Sequence, residues 1–398
     1  MLNERRKKSK QKSPATRSVV YADFAAFTPP AKEVLEVMRE AQSRFLGNPS
    51  SIHTYGRDAR SAIEAARAEI ALELQVKSDE LLFTSGGTES NNIAIFGVSG
   101  AARTDTPHII TTRIEHSSVL APIRAIEKEG GEVTYLSVDT GGRIDLSELR
   151  RAIRKETVLV SIAHANGELG TIENIRAIGK TLDPYREQQP IYFHSDASQA
   201  AHFLRILPND LSVDLLTADG SKMYGPSSSG LLFVRRGTPL RPRLFGGGQE
   251  RGLRPGTENV SAILGLRQAV ALSSKGRVRD GERLQKLRDW LKAELIKNIP
   301  GILFNGERGE ILPHMLNVCI PGIDAEFASV KIDSYGVALS SASACRSIGG
   351  GDGSSYVIEE IPERKGCGMS SLRVSLGRST TKNETIAIRD AIIRASRM

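Results

Sequence analysis

Short apolar runs rich in β-branched residues alternate along this chain with segments of helical periodicity. The runs that predict strands lie at 81–83, 108–112, 133–136, 158–163, 191–193 and 231–234. Apolar residues at three- and four-residue steps predict one face of a helix: Ala59, Ile63, Ala66, Ile70 and Leu74. Strands that alternate with helices favour a mainly parallel sheet with helices on both faces.

The 398 residues are too many for one ordinary hydrophobic core, so we expect two domains. The pattern changes after about residue 270, where a charged helical stretch over 281–297 leads into a second α/β segment. We therefore predict an α/β protein with a large domain over 19–270 and a smaller C-terminal domain over 271–398. Sheets of this kind bind ligands in the loops at the carboxyl ends of their strands, so polar motifs there form the candidate site.

The net charge of +8 comes mostly from the first twenty residues. They hold seven Lys or Arg and one acid, whereas the rest of the chain carries 47 basic and 45 acidic side chains. Because residues 1–18 have almost no apolar content, we predict a disordered basic tail rather than a nucleic-acid-binding arm. No apolar run reaches the roughly 18 residues of a membrane span, and none follows the basic start as in a signal peptide. We therefore expect a cytoplasmic protein that does not bind membranes.

The three cysteines, Cys319, Cys345 and Cys367, are too few and too far apart in sequence for a disulfide framework. None belongs to a C-x-x-C pair, so the sequence predicts no metal site. Cys319 lies in an apolar run and is expected in the core. Cys367 is expected in a loop, where it could be exposed, and no role is assigned to it. This cysteine usage fits a reducing compartment.

The first motif with chemical content is Thr84-Ser85-Gly86-Gly87-Thr88-Glu89-Ser90, which follows a strand and opens a helix. Its glycines let backbone N–H groups approach a ligand, the helix N-terminus favours an anion, and Thr88 adds a hydroxyl donor. The motif is not a P-loop, since no Gly-Lys-Ser/Thr follows, and it lacks the spacing of a dinucleotide site. Alone, such a motif is more often an ordinary capped turn.

Two further motifs follow later strands. Residues 194–199 place Asp196 at a strand end, where a carboxylate can meet a cationic ring nitrogen, and residues 219–226 place Lys222 in a short polar segment. A lone lysine is usually a surface residue, although lysine can form a Schiff base. The order of phosphate cradle, acid and lysine, however, matches pyridoxal 5'-phosphate. That cofactor carries a phosphate, a pyridine nitrogen that must stay protonated and an aldehyde that an amine must hold.

With these motifs, the chain resembles the cysteine desulfurases, which belong to the class-V aminotransferase-like group with the fold-type-I architecture. Matching motifs run over residues 21–381 and cover nearly everything beyond the tail. Each motif alone is weak, whereas the combination is specific. The further matching segments are 21–26, 47–51, 84–91, 115–116, 164–170, 246–252, 254–259, 340–345 and 375–378.

The resemblance implies a role for each matching residue. Lys222 would hold the cofactor and could take the α-proton of the substrate, and His116 would stack on the ring and could shuttle protons. Asp196 would pair with the pyridine nitrogen, and Gln199 would hydrogen-bond the phenolic oxygen. Contacts with the phosphate are implied for Gly87, Thr88, Ser221 and, from the partner subunit of a homodimer, Thr257. Contacts with the substrate carboxylate are implied for Arg378 and Asn166. Asn166 would also contact the cofactor.

Cys345 is the implied nucleophile. A lone cysteine is normally a small buried hydrophobe, but serines flank this one, Arg346 follows it, and a glycine-rich stretch over 349–353 comes next. This pattern predicts an exposed, movable segment in which nearby positive charge favours the thiolate. The resemblance implies that Cys345 takes sulfur from L-cysteine as a persulfide, with release of L-alanine. The sulfur would then pass to an acceptor or scaffold protein.

Several positions depart from the usual family pattern. Ser221 stands where a histidine usually precedes the lysine, and Asp219 stands where a serine is usual, which puts an acid near the phosphate site. Residues 227–229 are serines in place of a basic residue and a glycine, and Phe24 and Phe27 are atypical. These changes could weaken phosphate binding or alter the choice of partner. Every implied catalytic residue remains, so we expect an active enzyme.

Three alternatives stay open at this point. A related lyase or aminotransferase, such as a selenocysteine lyase, would need Lys222 and Asp196 but not Cys345. A homologue without catalytic activity would be consistent with Asp219 and Ser221, and a nucleic-acid-binding module would depend on the basic tail alone. The sequence does not identify the sulfur acceptor, whether in iron–sulfur cluster assembly, tRNA thiolation or another route.

Overall fold

A computed structural model describes residues 19–306, 309–341, 354–364 and 366–397. The predicted tail over 1–18 and the predicted nucleophile Cys345 lie outside these ranges. The predictions made for these two parts of the chain therefore stay predictions.

A seven-stranded sheet forms the centre of the larger part of the molecule. Its strands are, in spatial order, β2 (Leu81–Thr84), β8 (Gly230–Val234), β7 (Leu215–Asp219), β6 (Tyr192–Asp196), β5 (Thr157–Ser161), β3 (His108–Thr112) and β4 (Glu132–Leu136). Strand β8 runs antiparallel to both of its neighbours, and the other pairs are parallel. The prediction of a mainly parallel sheet is confirmed, and all six predicted strands are present, although β7 was not predicted.

Successive residues of the central strands face two different hydrophobic cores. Ile109 and Leu159 belong to one core, whereas Ile110 and Val160 belong to the other. Burial on both faces explains why these strands appear in the sequence as uninterrupted apolar runs. The helices that precede residue 260 in the described chain are α1 (Lys32–Arg44), α2 (Thr54–Leu74), α3 (Gly87–Ala101), α4 (Ser117–Lys128), α5 (Leu146–Ala152), α6 (Ile175–Arg186) and α7 (Pro208–Leu211).

The longest of these helices, α8 (Val260–Asn298), passes from one part of the molecule to the other. It begins at Asn259, whose side chain accepts a hydrogen bond from the N–H of Ala262. Its first half contributes Leu266 to the core of the large sheet, and its second half contributes Leu291 to a separate core. Residue 270 lies inside α8, so the predicted division at this residue stays a prediction. Within the described ranges, no helix is both long and apolar enough to cross a membrane.

The second part of the molecule is built on a four-stranded antiparallel sheet. Its strands are, in spatial order, β12 (Ser340–Ser341), β13 (Ser371–Ser375), β10 (Met315–Cys319) and β9 (Leu303–Asn305). The first strand of the chain, β1 (Val20–Tyr21), pairs in parallel with β11 (Val337–Ala338) and so joins this C-terminal part. The helices here are α9 (Ala325–Ser334), α10 (Tyr356–Glu359) and α11 (Lys382–Ala395), the last begun by a capping box of Thr381 and Glu384.

Cys319 and Cys367 form a disulfide, which overturns the expectation drawn from the small number of cysteines. Their Cα atoms are 5.6 Å apart although 48 positions separate the residues in sequence. Cys319 is in the core, as predicted, but Cys367 is also buried and not exposed. Both pack in a small hydrophobic cluster with Leu169 and Ile358. The spacing of the cysteines could not reveal this contact, because it is made by folding.

Candidate active site

A cavity of about 290 Å³ lies beyond the carboxyl ends of the central strands, where loops of the large sheet meet the C-terminal part. This is the edge at which a sheet of this type is expected to bind a ligand. Residues 354–357 and Arg373 of β13 close its far side. The predicted site residues that line it are Gly87, Thr88, His116, Asn166, Asp196, Gln199 and Lys222.

A hydrogen-bonded chain links His116 to Asp196 at the end of β6. The Nδ2 group of Asn91 donates both to Oδ2 of Asp196 and to Oγ of Ser118, at 2.8 Å each. Ser118 also donates its backbone N–H to Nδ1 of His116 at 3.1 Å, and its Oγ lies 2.7 Å from the same nitrogen. Because Nδ1 accepts, a neutral imidazole carries its proton on Nε2. The chain fixes both the histidine ring and the carboxylate.

Lys222 lies in a 3₁₀ turn, Gly220–Lys222, directly after β7. Its Nζ donates to the backbone oxygen of Ala26. Thr28 holds the turn from the same side, since its N–H and Oγ1 both donate to the oxygen of Ser221 at 2.8 Å. Tyr224, with a left-handed φ of 59°, donates its N–H to Oγ1 of Thr28 at 2.7 Å. The N-terminal segment thus positions the lysine.

The glycine motif forms a turn between β2 and α3, as predicted. Gly86 has a φ of +148°, which only glycine adopts readily. The N–H of Gly87 at the start of α3 donates to Oδ2 of Asp219 at 2.9 Å. The other oxygen of Asp219 accepts from both the N–H and the Oγ of Ser221, at 2.8 and 2.6 Å. One carboxylate therefore joins the cradle to the turn that carries Lys222.

The two predicted amide residues are fixed by backbone groups. Gln199 donates from Nε2 to the oxygen of Ala25 at 2.9 Å. Asn166 donates to the oxygen of Ile114 at 2.8 Å, and its Oδ1 accepts two N–H groups of the loop that follows it. Both side chains hold loops at the cavity wall, so their positions are set before any ligand enters.

The structure brings Arg373, rather than the predicted Arg378, to the cavity. Arg373 donates to the oxygen of Gly167 at 2.9 Å and to Oδ1 of Asp23 at 2.8 Å, and its Nε is buried without a hydrogen-bond partner in the described part of the chain. Arg378 does not line the cavity; its Nε lies 3.1 Å from Oδ2 of Asp280. Arg373 lies within β13, whereas Arg378 lies beyond its end.

Two other predicted phosphate residues, Ser221 and Thr257, do not line the cavity. The hydroxyl group of Ser221 donates to Asp219, which does line the cavity. Thr257 is exposed and is absent from the cavity wall, which is the position expected of a residue that acts in a partner subunit. Its predicted role stays a prediction, as does that of Cys345.

Two buried glutamates, Glu168 and Glu115, contact residues 355 and 356 of the cavity wall. Burial raises the pKa of Glu168 to about 7 and that of Glu115 to about 8. Glu168 accepts a hydrogen bond from Oγ of Ser355, and the backbone oxygen of Glu115 accepts one from the Tyr356 hydroxyl at 2.8 Å. The two glutamates thus hold the wall formed by residues 354–357.

Three residues of the site, Asn91, Ser118 and Arg373, were not predicted from the sequence. Arg373 had a detectable signal, because an arginine inside the short apolar strand Ser371–Ser375 must find a buried polar partner. Asn91 and Ser118 had none, since polar residues in the first turns of helices are common. Only the packing of α3 beside α4 brings these two side chains together.

The fold and this cavity define an α/β enzyme of the fold-type-I class, with a mainly parallel sheet and a smaller C-terminal part. A family model described as aminotransferase class-V matches residues 20–387. The chain therefore belongs to the aminotransferase class-V family, and within it to the cysteine desulfurases.

Three similar proteins support this assignment. The chain is 43% identical over 381 residues to Cysteine desulfurase IscS of Dictyoglomus turgidum, with 95% of each chain covered. The solved structure of a NifS-like protein from Rickettsia africae is 30% identical, with a TM-score of 0.84 over 96% of this chain and 100% of that one. SspA in complex with cysteine is 34% identical, with a TM-score of 0.77 over 89% of this chain and 98% of that one.

Proposed function

We propose that this protein converts L-cysteine to L-alanine and collects the sulfur as a persulfide on Cys345. The observation that carries the proposal is the convergence of Lys222, Asp196 and the glycine cradle on one cavity. The names of similar proteins, cysteine desulfurase and a complex with cysteine, support the choice of substrate. A selenocysteine lyase or an aminotransferase would not require the cysteine.

The cavity fits pyridoxal 5'-phosphate on its donor set. Asp196 supplies a carboxylate for the pyridine nitrogen, Lys222 supplies an amine, and Oγ of Ser198 is buried without a partner in the described part of the chain. When bound, the cofactor supplies an aldehyde and an electron sink. His116, held by Ser118, would lie against it and keep its protonated Nε2 available.

The substrate carboxylate is best placed at Arg373. Its guanidinium group lines the cavity and carries five N–H donors in a planar fork that suits a carboxylate. Lys222, in the 3₁₀ turn after β7, would take the α-proton of the substrate and return a proton to the product carbon. We thus assign to Arg373 the role that the resemblance implied for Arg378.

Sulfur transfer would take place at Cys345. Its thiolate would attack the substrate sulfur, the carbon–sulfur bond would break, and the electron pair would stay with the carbon fragment, which gains a proton and leaves as alanine. Cys345 would then hold the persulfide for an acceptor protein. Iron–sulfur cluster assembly and tRNA thiolation are both proposals for the route beyond it.

A homodimer would complete the site. Phe245 is 88% exposed and Ile52 is 90% exposed, and both belong to loops that meet where Gln249 contacts Ser50 at 3.5 Å. Exposed apolar side chains of this size are typical of an interface with another chain. Thr257 follows the same loop and is exposed, so a second copy seated there would lie beside Thr257.

The test of the desulfurase mechanism is Cys345→Ser. The variant should bind pyridoxal 5'-phosphate and L-cysteine, since neither Lys222 nor Arg373 changes, but it should form no alanine and no protein persulfide, because a hydroxyl cannot replace a thiolate at neutral pH. Alanine release and mass spectrometry of the added sulfur measure both steps. The matched control is the double variant that carries both Cys319→Ala and Cys367→Ala, and it should retain turnover. Normal turnover by Cys345→Ser, or a persulfide mapped to Cys367, would show that the mechanism is wrong.

A further inference from the structure

The carboxylate of Asp219 already lies in the anion cradle at the start of α3. Its Oδ2 accepts the Gly87 N–H at 2.9 Å, and a Cβ built on Gly86 or Gly87 would lie 3.3 Å from this oxygen. Asp219 lines the same cavity as Lys222 and Thr88. A carboxylate side chain therefore occupies the position at the helix N-terminus that favours an anion.

The same carboxylate engages the donors that a phosphate would need. Ser221 gives both its N–H and its hydroxyl to Oδ1 of Asp219, at 2.8 and 2.6 Å. Asp219 stands where the family usually carries a serine, which would donate to a phosphate instead of competing with it. The cradle therefore holds a charged acceptor, Asp219, at a position where the resemblance implies a neutral donor.

A buried hydroxyl group beside the cradle indicates that the cradle can still bind a ligand. Ser198 is 9% exposed, and its Oγ is buried with no hydrogen-bond partner in the described part of the chain. It lines the cavity and would lie 2.9 Å from a Cβ on Gly87, so it is aimed at the cradle. A buried hydroxyl without a partner is costly, and a bound phosphate oxygen would satisfy it.

We infer that Asp219 competes with the cofactor phosphate for the same hydrogen-bond donors. Asp219 therefore weakens the binding of phosphorylated ligands and reduces the ratio of their affinity to that of unphosphorylated ligands. The inference rests on the proposed function, because it takes the ligand to be pyridoxal 5'-phosphate. Two anions at hydrogen-bond range repel each other, and both require the N–H of Gly87. Asp219 must therefore share or release that donor when a phosphate enters.

The experiment compares the dissociation constants of pyridoxal 5'-phosphate and of pyridoxal, which lacks the phosphate. Both are measured by absorbance and fluorescence titration of the apoprotein for the unmodified protein, Asp219→Ser and Asp219→Asn. Asp105→Asn is the matched control, because it removes one negative charge from an exposed loop. We expect both Asp219 variants to bind pyridoxal 5'-phosphate about tenfold or more tightly, with pyridoxal changed less than about threefold. The control should change neither constant.

An unchanged or weaker affinity for pyridoxal 5'-phosphate in both Asp219 variants would overturn the inference. Equal tightening of the two ligands would also overturn it, because the effect would then act through the Lys222 turn and not through the phosphate. If no protein bound pyridoxal 5'-phosphate, including the unmodified chain, the proposed function itself would fail. Stronger binding that is confined to the phosphorylated ligand would support the inference.

Discussion

Single buried ionisable groups set the pH range in which this fold is most stable. Glu115 and Glu168 have pKa values raised to about 8 and 7 by burial, so the folded state keeps protons that the unfolded chain loses above pH 4.5. His108, His164 and His194 have pKa values lowered to about 4, mainly by burial. The glutamates lower stability as the pH rises, and the histidines lower it as the pH falls below 6.5.

Replacement of Glu168 with glutamine should remove one part of this pH dependence. The glutamate contributes stability that is complete below pH 4.5 and lost as the pH rises to about 7, at a cost on the order of 3 kcal/mol. Glutamine keeps an acceptor for Ser355 without the charge. The gain in free energy of unfolding for Glu168→Gln should therefore grow from pH 4.5 to about 7 and then level off in denaturant titrations.

The exposed Glu40→Gln is the control and should show no such pH-dependent gain. A constant difference between Glu168→Gln and the unmodified protein across this range would refute the assigned linkage.

Strand register places one of the two arginines, Arg373, at the cavity wall. Arg373 lies at the centre of β13, opposite Asn317 on β10 and Ser340 on β12, and this register directs its side chain to the cavity. Arg378 follows the strand, and its backbone N–H donates to the Tyr224 hydroxyl at 2.8 Å. Arg373 is thus suited to recognising the substrate, whereas Arg378 joins the C-terminal part to the lysine turn.

Arg373→Lys should weaken the binding of L-cysteine. A lysine cannot present the planar fork, so the KM should rise by roughly 10- to 100-fold, while binding of pyridoxal 5'-phosphate changes little. Arg378→Lys is the matched variant and should leave the KM within about threefold, with any loss appearing in the melting temperature. Steady-state kinetics together with cofactor titration separate the two effects. A larger rise in KM for Arg378→Lys would restore Arg378 as the carboxylate ligand.

At the scale of the whole molecule, long-range contacts connect segments that are far apart in sequence. Strand β1 pairs with β11, helix α8 enters two cores, and the disulfide joins β10 to the segment before β13. In the chain-entropy treatment, a cross-link across 48 positions stabilises a fold by about 4 kcal/mol. The N-terminal segment, the C-terminal part and the large sheet therefore all contribute to holding the cavity in place.

Phe245→Asp should convert the proposed homodimer to a monomer. A charge placed in an apolar interface is costly to desolvate, so light scattering should report half the mass at micromolar protein concentrations. Val330→Asp is the control, because Val330 is also exposed, at 66%, but lies on α9 of the C-terminal part. The unmodified protein and the Val330→Asp control should both be dimers. A monomeric unmodified protein, or a dimeric Phe245→Asp, would contradict the proposed interface.

Local patterns in the sequence determined the elements and most of the chemistry of the site. Hydrophobic runs predicted the strands because their burial on both faces leaves a continuous apolar signal, as at 108–112 and 158–163. Motifs at strand ends predicted Asp196 and Lys222, because the topology of parallel sheets collects such ends at one edge. These inferences depend on short-range spacing, which a single sequence records.

Tertiary structure alone decided the contacts between residues that are distant in sequence. The pairing of Cys319 with Cys367 joins residues 48 positions apart, and the placement of Arg373 rather than Arg378 at the cavity follows from how β13 packs beside β10. The placement of the Asp219 carboxylate on Gly87 joins groups 132 positions apart. Such contacts leave no periodic trace in the chain, because many arrangements of the same elements would bury similar amounts of apolar surface. Only the packed arrangement determines which polar atoms meet.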